Sequence, residues 1–437
     1  MQMRHKLAAL IDDRDGAFRV DRAIYTDPEV FEAEVDCLFE GGWLYACHES
    51  QVKTAGDFVT VKLGRQPVVI VRKKDGALAA YVNACAHRGA TLALHQRGNV
   101  AAFTCRFHGW VYALDGRCIK IKNEESGDYL FDDIRARSGL APVRVESYRG
   151  FVFASLKADV APLGDYLGAT RPWIDLMVDQ SPQGLEVLPG SSTYVIRGNW
   201  KMQAENGVDG YHVSTVHRVF ANTMVNREAK LGLSGMARTE AGRLVGNVPT
   251  GGYDFGNGHM AIWAQHTDPT RRPIYQHKDR LEREFSAAKV DWILGRGRNL
   301  YLFPNLLLMD NPSTQVRTIQ PIAPDRAEVT VRCIAPIGES QAARSARLRK
   351  FEDFYLTSGM ATSDDIAALE ATQTGGLARS APWNDLSRGM KTVMRGAENA
   401  DSMSIGCEPQ TSAPNWDHDT FYHGFYRAIR DRLLAAG

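Results

Sequence analysis

Two short cysteine–histidine pairs constrain this chain more than anything else in it. "NACAHRGA" places Cys85 two residues before His87, and "TCRFHGWVY" places Cys105 three residues before His108, with seventeen residues between the pairs. Two thiolates and two imidazoles can hold one zinc tetrahedrally. They can also hold a [2Fe–2S] cluster, with both thiolates on one iron and both imidazoles on the other. Either way the two segments must meet, so the surrounding chain has to present them as neighbouring loops.

The flanking sequence is suited to that. "DFVTVKLG", "QPVVIVRK" and "ALAAYVNAC" are short strand-like runs, "KKDG" (73–76) is a hairpin turn, and a second turn falls at Asp115-Gly116. "YRGFVFASL" closes the series, which predicts a small β domain made of hairpins. Zinc sites usually group cysteine with cysteine and histidine with histidine. Here each pair is mixed, which suits a Rieske-type cluster in which each loop gives one ligand to each iron. Residues 43–155 are predicted to form this domain, behind a helical lead-in over 1–42 that packs with the remainder.

A second constellation lies in "AENGVDGYHVSTVH" (204–217), which crowds Glu205, Asn206, Asp209, His212 and His217 together. Histidines five apart on a regular helix point about 140° away from each other. Their convergence needs an irregular turn, which Gly207 and Gly210 make easier. Two imidazoles and a carboxylate form the facial triad of non-haem Fe(II) oxygenases, which leaves coordination positions open. Spacing leaves the carboxylate open: Asp209 is near but also placed to orient His212, and "MATSDD" offers Asp364 and Asp365 at a helix start.

Residues 156–437 are predicted to hold this site. "SSTYVIRG" is a strand feeding it. "NLYLFPNLLLMD", "TQVRTIQPI" and "RAEVTVRCIAPI" read as successive strands of an antiparallel meander. "SQAARSARLRKFEDFYLTSG" is a Ser-capped helix ended by Gly359, "TSDDIAALEATQ" starts another helix, and 415–436 a third. The stretch 218–260 is glycine-rich and aperiodic and reads as loops. The fold class is α+β: a small all-β domain plus a larger domain with an antiparallel sheet flanked by helices.

Composition removes other function classes. With 52 basic against 51 acidic residues the net charge is +1, so neither nucleic acid nor an anionic membrane is an expected partner. No signal peptide is read at the start, and no apolar run reaches the roughly 18–20 residues that span a bilayer. The seven cysteines are odd in number and scattered, which predicts reduced thiols in the cytoplasm. A respiratory electron carrier would need further cysteines where Ala90 and Phe107 stand, and has no use for His212 and His217.

Taken together, "GRQPVVIVR", "VDQSPQGLEVLPGSSTY", "GNWKMQAENGVDGYHVSTVH", "GMATSDDIAALEATQ" and "WNDLSRG" resemble the large (α) subunit of Rieske non-haem iron aromatic-ring-hydroxylating dioxygenases over nearly the whole chain. The benzoate and toluate 1,2-dioxygenase branch is the nearest match, with anthranilate and 2-halobenzoate enzymes beside it. The resemblance implies that Cys85 and Cys105 hold one cluster iron and His87 and His108 the other. It implies that His212, His217 and Asp365 bind a mononuclear Fe(II), with Asn206 near the open position. Asp209 would link His212 to a cluster histidine of a neighbouring subunit. It further implies an aromatic carboxylate and O2 as substrates, a cis-diol as product, a small β subunit in an α3β3 hexamer, and an NADH-dependent reductase carrying FAD and a 2Fe-2S cluster. A Rieske aromatic monooxygenase is the alternative. A carboxylate substrate needs a cation in its pocket. Arg298 is the first candidate, in a segment that with Met309 and Val213 lines the family's pocket, and Arg218 is the second.

Overall fold

The computed structural model describes residues 2–14, 16–230 and 248–436. The chain divides into two compact units, one of residues 35–166 and one of 1–34 with 167–437. No helix among the described residues is long and apolar enough to cross a membrane.

The 35–166 unit is built from the predicted hairpins. A seven-stranded antiparallel sheet runs Leu44–His48, Phe151–Ser155, Pro142–Tyr148, Leu78–Val82, Gln66–Arg72, Asp57–Leu63, Arg97–Asn99. Its central run Val68-Val69-Ile70-Val71 is wholly buried, as a strand covered on both faces requires. A second sheet of Phe103–Thr104, Val111–Tyr112 and Cys118–Lys120 carries the second cysteine–histidine loop. Cys85 and Cys105 both belong to the apolar core between these elements, with Phe58, Trp110 and Tyr112.

The second unit is organised by a ten-stranded sheet, antiparallel at every pairing among the described residues. Its order is Leu185–Val187, Arg326–Pro336, Thr314–Ala323, Leu306–Asp310, Arg296–Leu302, His259–Gln265, Thr250–Gly256, Thr411–Ala413, Met394–Arg395, with Ser192–Ile196 pairing on Arg326–Pro336. The predicted meander is its centre, with one more strand than expected. "NLYLFPNLLLMD" is itself a hairpin that turns at residues 303–305, where Pro304 has no N–H for a ladder.

Part of the 218–260 reading is corrected. Arg218–Lys230 is helical, and Thr250–Gly256 pairs with His259–Gln265 as a hairpin; residues 231–247 lie outside the described set. Two of the glycines that suggested a loop, Gly251 and Gly252, are strand glycines under aromatic rings. A Cβ on Gly251 would sit 2.5 Å from Trp263 Nε1, and one on Gly252 would sit 2.4 Å from Phe421 Cδ1. Helix Gln341–Tyr355 starts on Ser340, whose Oγ accepts from Ala343 N (3.2 Å), and stops short of Gly359. Asp364 and Asp365 occupy the first turn of Thr362–Gly375, and the last helix is Tyr422–Ala436.

Helix Trp200–Asn206, which leads into the second constellation, is anchored by buried charge. Lys201 and Glu34 are completely buried and paired at 2.7 Å, and Trp200 Nε1 donates to the same carboxylate (2.8 Å). Glu34 ends helix Pro28–Glu34, so the N-terminal segment is fastened to the start of the site. Glu205, at the far end, turns away from the histidines and accepts from Tyr25 (3.1 Å) and Tyr426. Burial pushes the Glu205 carboxyl up to about 7.

Lys201→Met should therefore lower stability by about 3–5 kcal/mol, because it strands a buried carboxylate. Adding Glu34→Gln should return much of that loss, since the amide keeps an acceptor for Trp200. Urea unfolding of the single and double variants checks both. Glu205 works in the opposite sense to a usual acid. The folded chain keeps its proton to about pH 7 and the unfolded chain releases it near 4.5, so the contribution is full below 4.5 and lost as pH rises through 7. Glu205→Gln should thus gain up to about 3 kcal/mol on wild type between pH 5 and 8. Melting temperatures across that range that stay parallel would contradict this.

Candidate metal centres

The two cysteine–histidine loops share one backbone design. Cys85 N donates to Ala90 O and Gly89 N to Cys85 O; Cys105 N donates to Trp110 O and Gly109 N to Cys105 O, all at 2.8–2.9 Å. Gly89 and Gly109 close the turns at φ +68° and +74°, a region that disfavours side chains. Each loop thus buries its cysteine and lifts its histidine outward: Cys85 and Cys105 are buried, His87 is exposed and His108 is half-buried. The His87 and His108 rings meet edge to face at 4.6 Å, and His87 stacks on Trp110. Burial, with His87, Arg88 and Lys122 nearby, disfavours protonation of His108. Tyr112 Oη lies 3.1 Å from Cys85 Sγ and accepts from Ala86 N. Its part was not foreseen; it faces inward on the strand after the second loop. All seven cysteines are free, so two are available as thiolates.

In the second centre the helix breaks after Asn206 and resumes at Val213. The glycines act here by clearance, since neither adopts positive φ. A Cβ on Gly207 would lie 2.4 Å from Leu307 Cδ1, and one on Gly210 would lie 2.3 Å from Trp416 Cγ. Gly207 O also accepts from Asn299 Nδ2 (3.0 Å). The break is pressed onto the sheet, and His212 and His217 turn toward each other.

His212 Nε2 and His217 Nε2 are 3.3 Å apart, and each lies 3.4 Å from Asp365 Oδ1. These form the group of ligand atoms among the described residues close enough to share an ion. Ligands about 2.1 Å from one ion at right angles lie about 3.0 Å apart, so the triangle fits a metal after slight contraction. The chemistry of the donors agrees: with His212 Nδ1 turned to Asp209, both imidazoles and the carboxylate can each turn a lone pair to one cation, which would displace the proton that His212 otherwise carries. Burial opposes a charge on His212, yet the carboxylates of Asp209 and Asp365 outweigh it and push it up to about 10. Burial lowers His217. Asp365 is held below the carboxylate range, its burial outweighed by the two histidines.

Asp209 stands behind His212, with Oδ2 3.1 Å from Nδ1 and Oδ1 accepting from Tyr211 N (2.6 Å). Asn206 reaches the triangle from the side, its Nδ2 3.3 Å from Asp365 Oδ1 and 3.5 Å from His212 Nε2. Gln203, one helical turn earlier, donates to Asn206 Oδ1 (3.2 Å) and sets the amide's direction. That partner was legible as an i, i+3 pair but was not identified.

The triangle opens into a cavity that, with its solvent-filled mouth, spans about 670 Å³ and whose other walls include Val213, Phe220, Ile262, Met309 and Phe354. Val213 and Met309 are where the sequence reading put them. The two arginines are not. Arg218 is exposed. Arg298 is buried on the other side of the sheet, where it and Arg272 pair with Asp310. Alternation explains the miss: Asn299, the next residue on the strand, is the one that lines the cavity. The cation at the cavity is Arg317, which sequence reasoning passed over.

Comparisons with known proteins agree with this architecture. Residues 42–148 match the Rieske [2Fe-2S] domain, and 187–434 match the ring hydroxylating alpha subunit catalytic domain. The chain is similar to the toluate 1,2-dioxygenase subunit alpha of Pseudomonas putida, 45% identical over 97% of this chain and 93% of that protein. It is also similar to the anthranilate 1,2-dioxygenase large subunit of Acinetobacter baylyi, 42% identical over 96% and 91%. Among solved structures, naphthalene 1,2-dioxygenase with indole bound superposes with a TM-score of 0.82 at 25% identity, over 95% and 92% of the two chains. The chain belongs to the ring-hydroxylating α subunits of the Rieske non-haem iron oxygenases. It is an oxidoreductase whose cofactors are a Rieske [2Fe–2S] cluster and a mononuclear iron.

His212→Ala or Asp365→Ala should lower bound iron from about three to about two atoms per chain with the visible spectrum of the cluster intact. Cys105→Ser should bleach that spectrum. Iron analysis and absorption spectra of the same preparations separate the two centres; full iron in His212→Ala would remove that residue from the ligand set.

Proposed function

We propose that this chain is the terminal oxygenase component that adds both atoms of O2 to an aromatic carboxylate of the benzoate type, giving a cis-diol. The balance is one arene, one O2, two electrons and two protons per diol. The observation that carries this reading is the open side of the His212–His217–Asp365 triangle, which faces a largely apolar cavity in a chain that also carries the cluster loops. Similarity over nearly the full length to proteins named for toluate and anthranilate, both aromatic acids, supports the substrate class.

When bound, the cluster supplies single electrons and the iron binds and activates O2. The chain's own residues do the rest. Cys85 and Cys105 hold one cluster iron, and His87 and His108 hold the other. His212, His217 and Asp365 would hold the mononuclear iron beside the cavity. Asp209 holds the His212 ring through Nδ1 and lies on the connection to a neighbouring subunit's cluster. Asn206, steadied by Gln203, sits where an incoming ligand passes. Val213, Met309, Phe220 and Phe354 pack a flat ring and keep water from it. The cluster domain is the 35–166 unit, wider at both ends than the 43–155 expected from the sequence, and the catalytic domain is 167–437 with 1–34. Electrons come from NADH through a separate reductase with FAD and a 2Fe-2S cluster. A small β subunit completes an α3β3 assembly in the cytoplasm.

A single turnover tests the reading. Chemically reduced protein is given 18O2 with benzoate, toluate, 2-chlorobenzoate and anthranilate, and the products are weighed. Two labelled oxygens in a benzoate or toluate diol are expected. Catechol from anthranilate alone would move the substrate within the class, and one labelled oxygen would favour the monooxygenase alternative.

A further inference from the structure

Arg317 is 3% exposed, yet it makes no hydrogen bond or ion pair with any described residue. Its Nε is buried without a partner, and the contact made by its guanidinium is with the ring of Tyr355, 5.7 Å away. Asp365, across the cavity, feels its charge but makes no ion pair with it. A charge taken out of water without a bonded counterion costs several kcal/mol. Arg298 and Arg272, also buried, differ in that both are answered by Asp310.

The sheet register says where Arg317 points. Arg317 pairs with Leu307, two residues from Met309, and Met309 pairs with Asn299, which pairs with Ile262. Ile262, Asn299, Met309 and Arg317 therefore share one face across four strands, and all four line the cavity of the metal triangle. Arg317 is the one arginine or lysine among the residues lining it. The acids there are already engaged: Asp365 with the two histidines, and Asp209 with His212.

We propose that Arg317 binds the substrate's carboxylate and so selects aromatic acids over neutral arenes. This rests on the aromatic-acid reading above and names the residue that reads the acid. The planar guanidinium offers a forked pair of donors that matches a carboxylate. Between Arg317 and the metal triangle the wall also carries Val213, Phe220, Ile262, Met309 and Phe354, an apolar surface that suits a ligand made of one flat ring and one anionic group. Arg317 is fixed in the sheet, so a carboxylate held there also fixes which ring edge faces the triangle.

The test measures binding to the iron-replete holoenzyme by equilibrium dialysis, with benzoate and its neutral isostere benzamide as probes. Arg317→Met should weaken benzoate about 10- to 100-fold while changing benzamide less than about threefold. Iron content and the cluster spectrum should stay as in wild type. Arg317→Lys, which keeps the charge and loses the fork, should fall between. Equal loss of both probes, or loss of iron, would make the residue structural and overturn the assignment. Unchanged benzoate binding in Arg317→Met would overturn it too, while leaving the aromatic-acid reading in place. Wild-type protein that binds benzamide but no benzoate would overturn that reading itself, and Arg317's role with it.

Discussion

Two imidazole nitrogens and a carboxylate oxygen held 3.3–3.4 Å apart need positive charge between them, a shared cation or, without one, a proton on His212. Much of the catalytic unit can be understood as the scaffold that enforces this arrangement. The helix leading into it is fixed at one end by the Glu34–Lys201 pair and at the other by Glu205 between two tyrosines. The third ligand comes from a separate helix, Thr362–Gly375, where a first-turn position also favours its negative charge. Asp209 and Gln203 then set the directions of the groups that touch the triangle.

Much of the site could be read from the chain because its residues are close in sequence or chemically distinctive. Mixed cysteine–histidine pairs and two histidines in a glycine-rich break admit few alternatives. The cation at the cavity could not be read that way. Arg298 and Arg317 both lie on strands of one sheet, and only the alternation of faces separates them. Asn299 faces the cavity, so Arg298 cannot; Arg317 does, because its register places it beside Met309. Register depends on which strands pair, and that is a tertiary fact.

The fold divides in the same manner. Hairpins with strong turn signals, the Ser340 cap and the first-turn acids of Thr362–Gly375 are local and were legible. The hairpin at 250–265 was not, because its glycines mimic a loop. Their reason for being there is Trp263 on the paired strand and Phe421 far along the chain, neither of which is visible from "TGGYDFG" alone. Gly207 and Gly210 teach the same point. They invited an argument from backbone freedom, whereas they serve as places where another surface needs room.

The clearance at Gly207 couples two properties that are usually varied separately. Asn299 lines the cavity, Leu307 lies on the neighbouring strand just behind that wall, and the same two side chains meet Gly207, five residues before His212. Wall and ligand-bearing turn therefore touch with no slack. Reshaping the wall to admit a bulkier ring would also shift the seat of the metal, so breadth of substrate and integrity of the centre trade against each other. Val213, beside His212 in the chain, and Phe354, edge to face on the His217 ring at 5.2 Å, tie the upper wall to the centre in the same way.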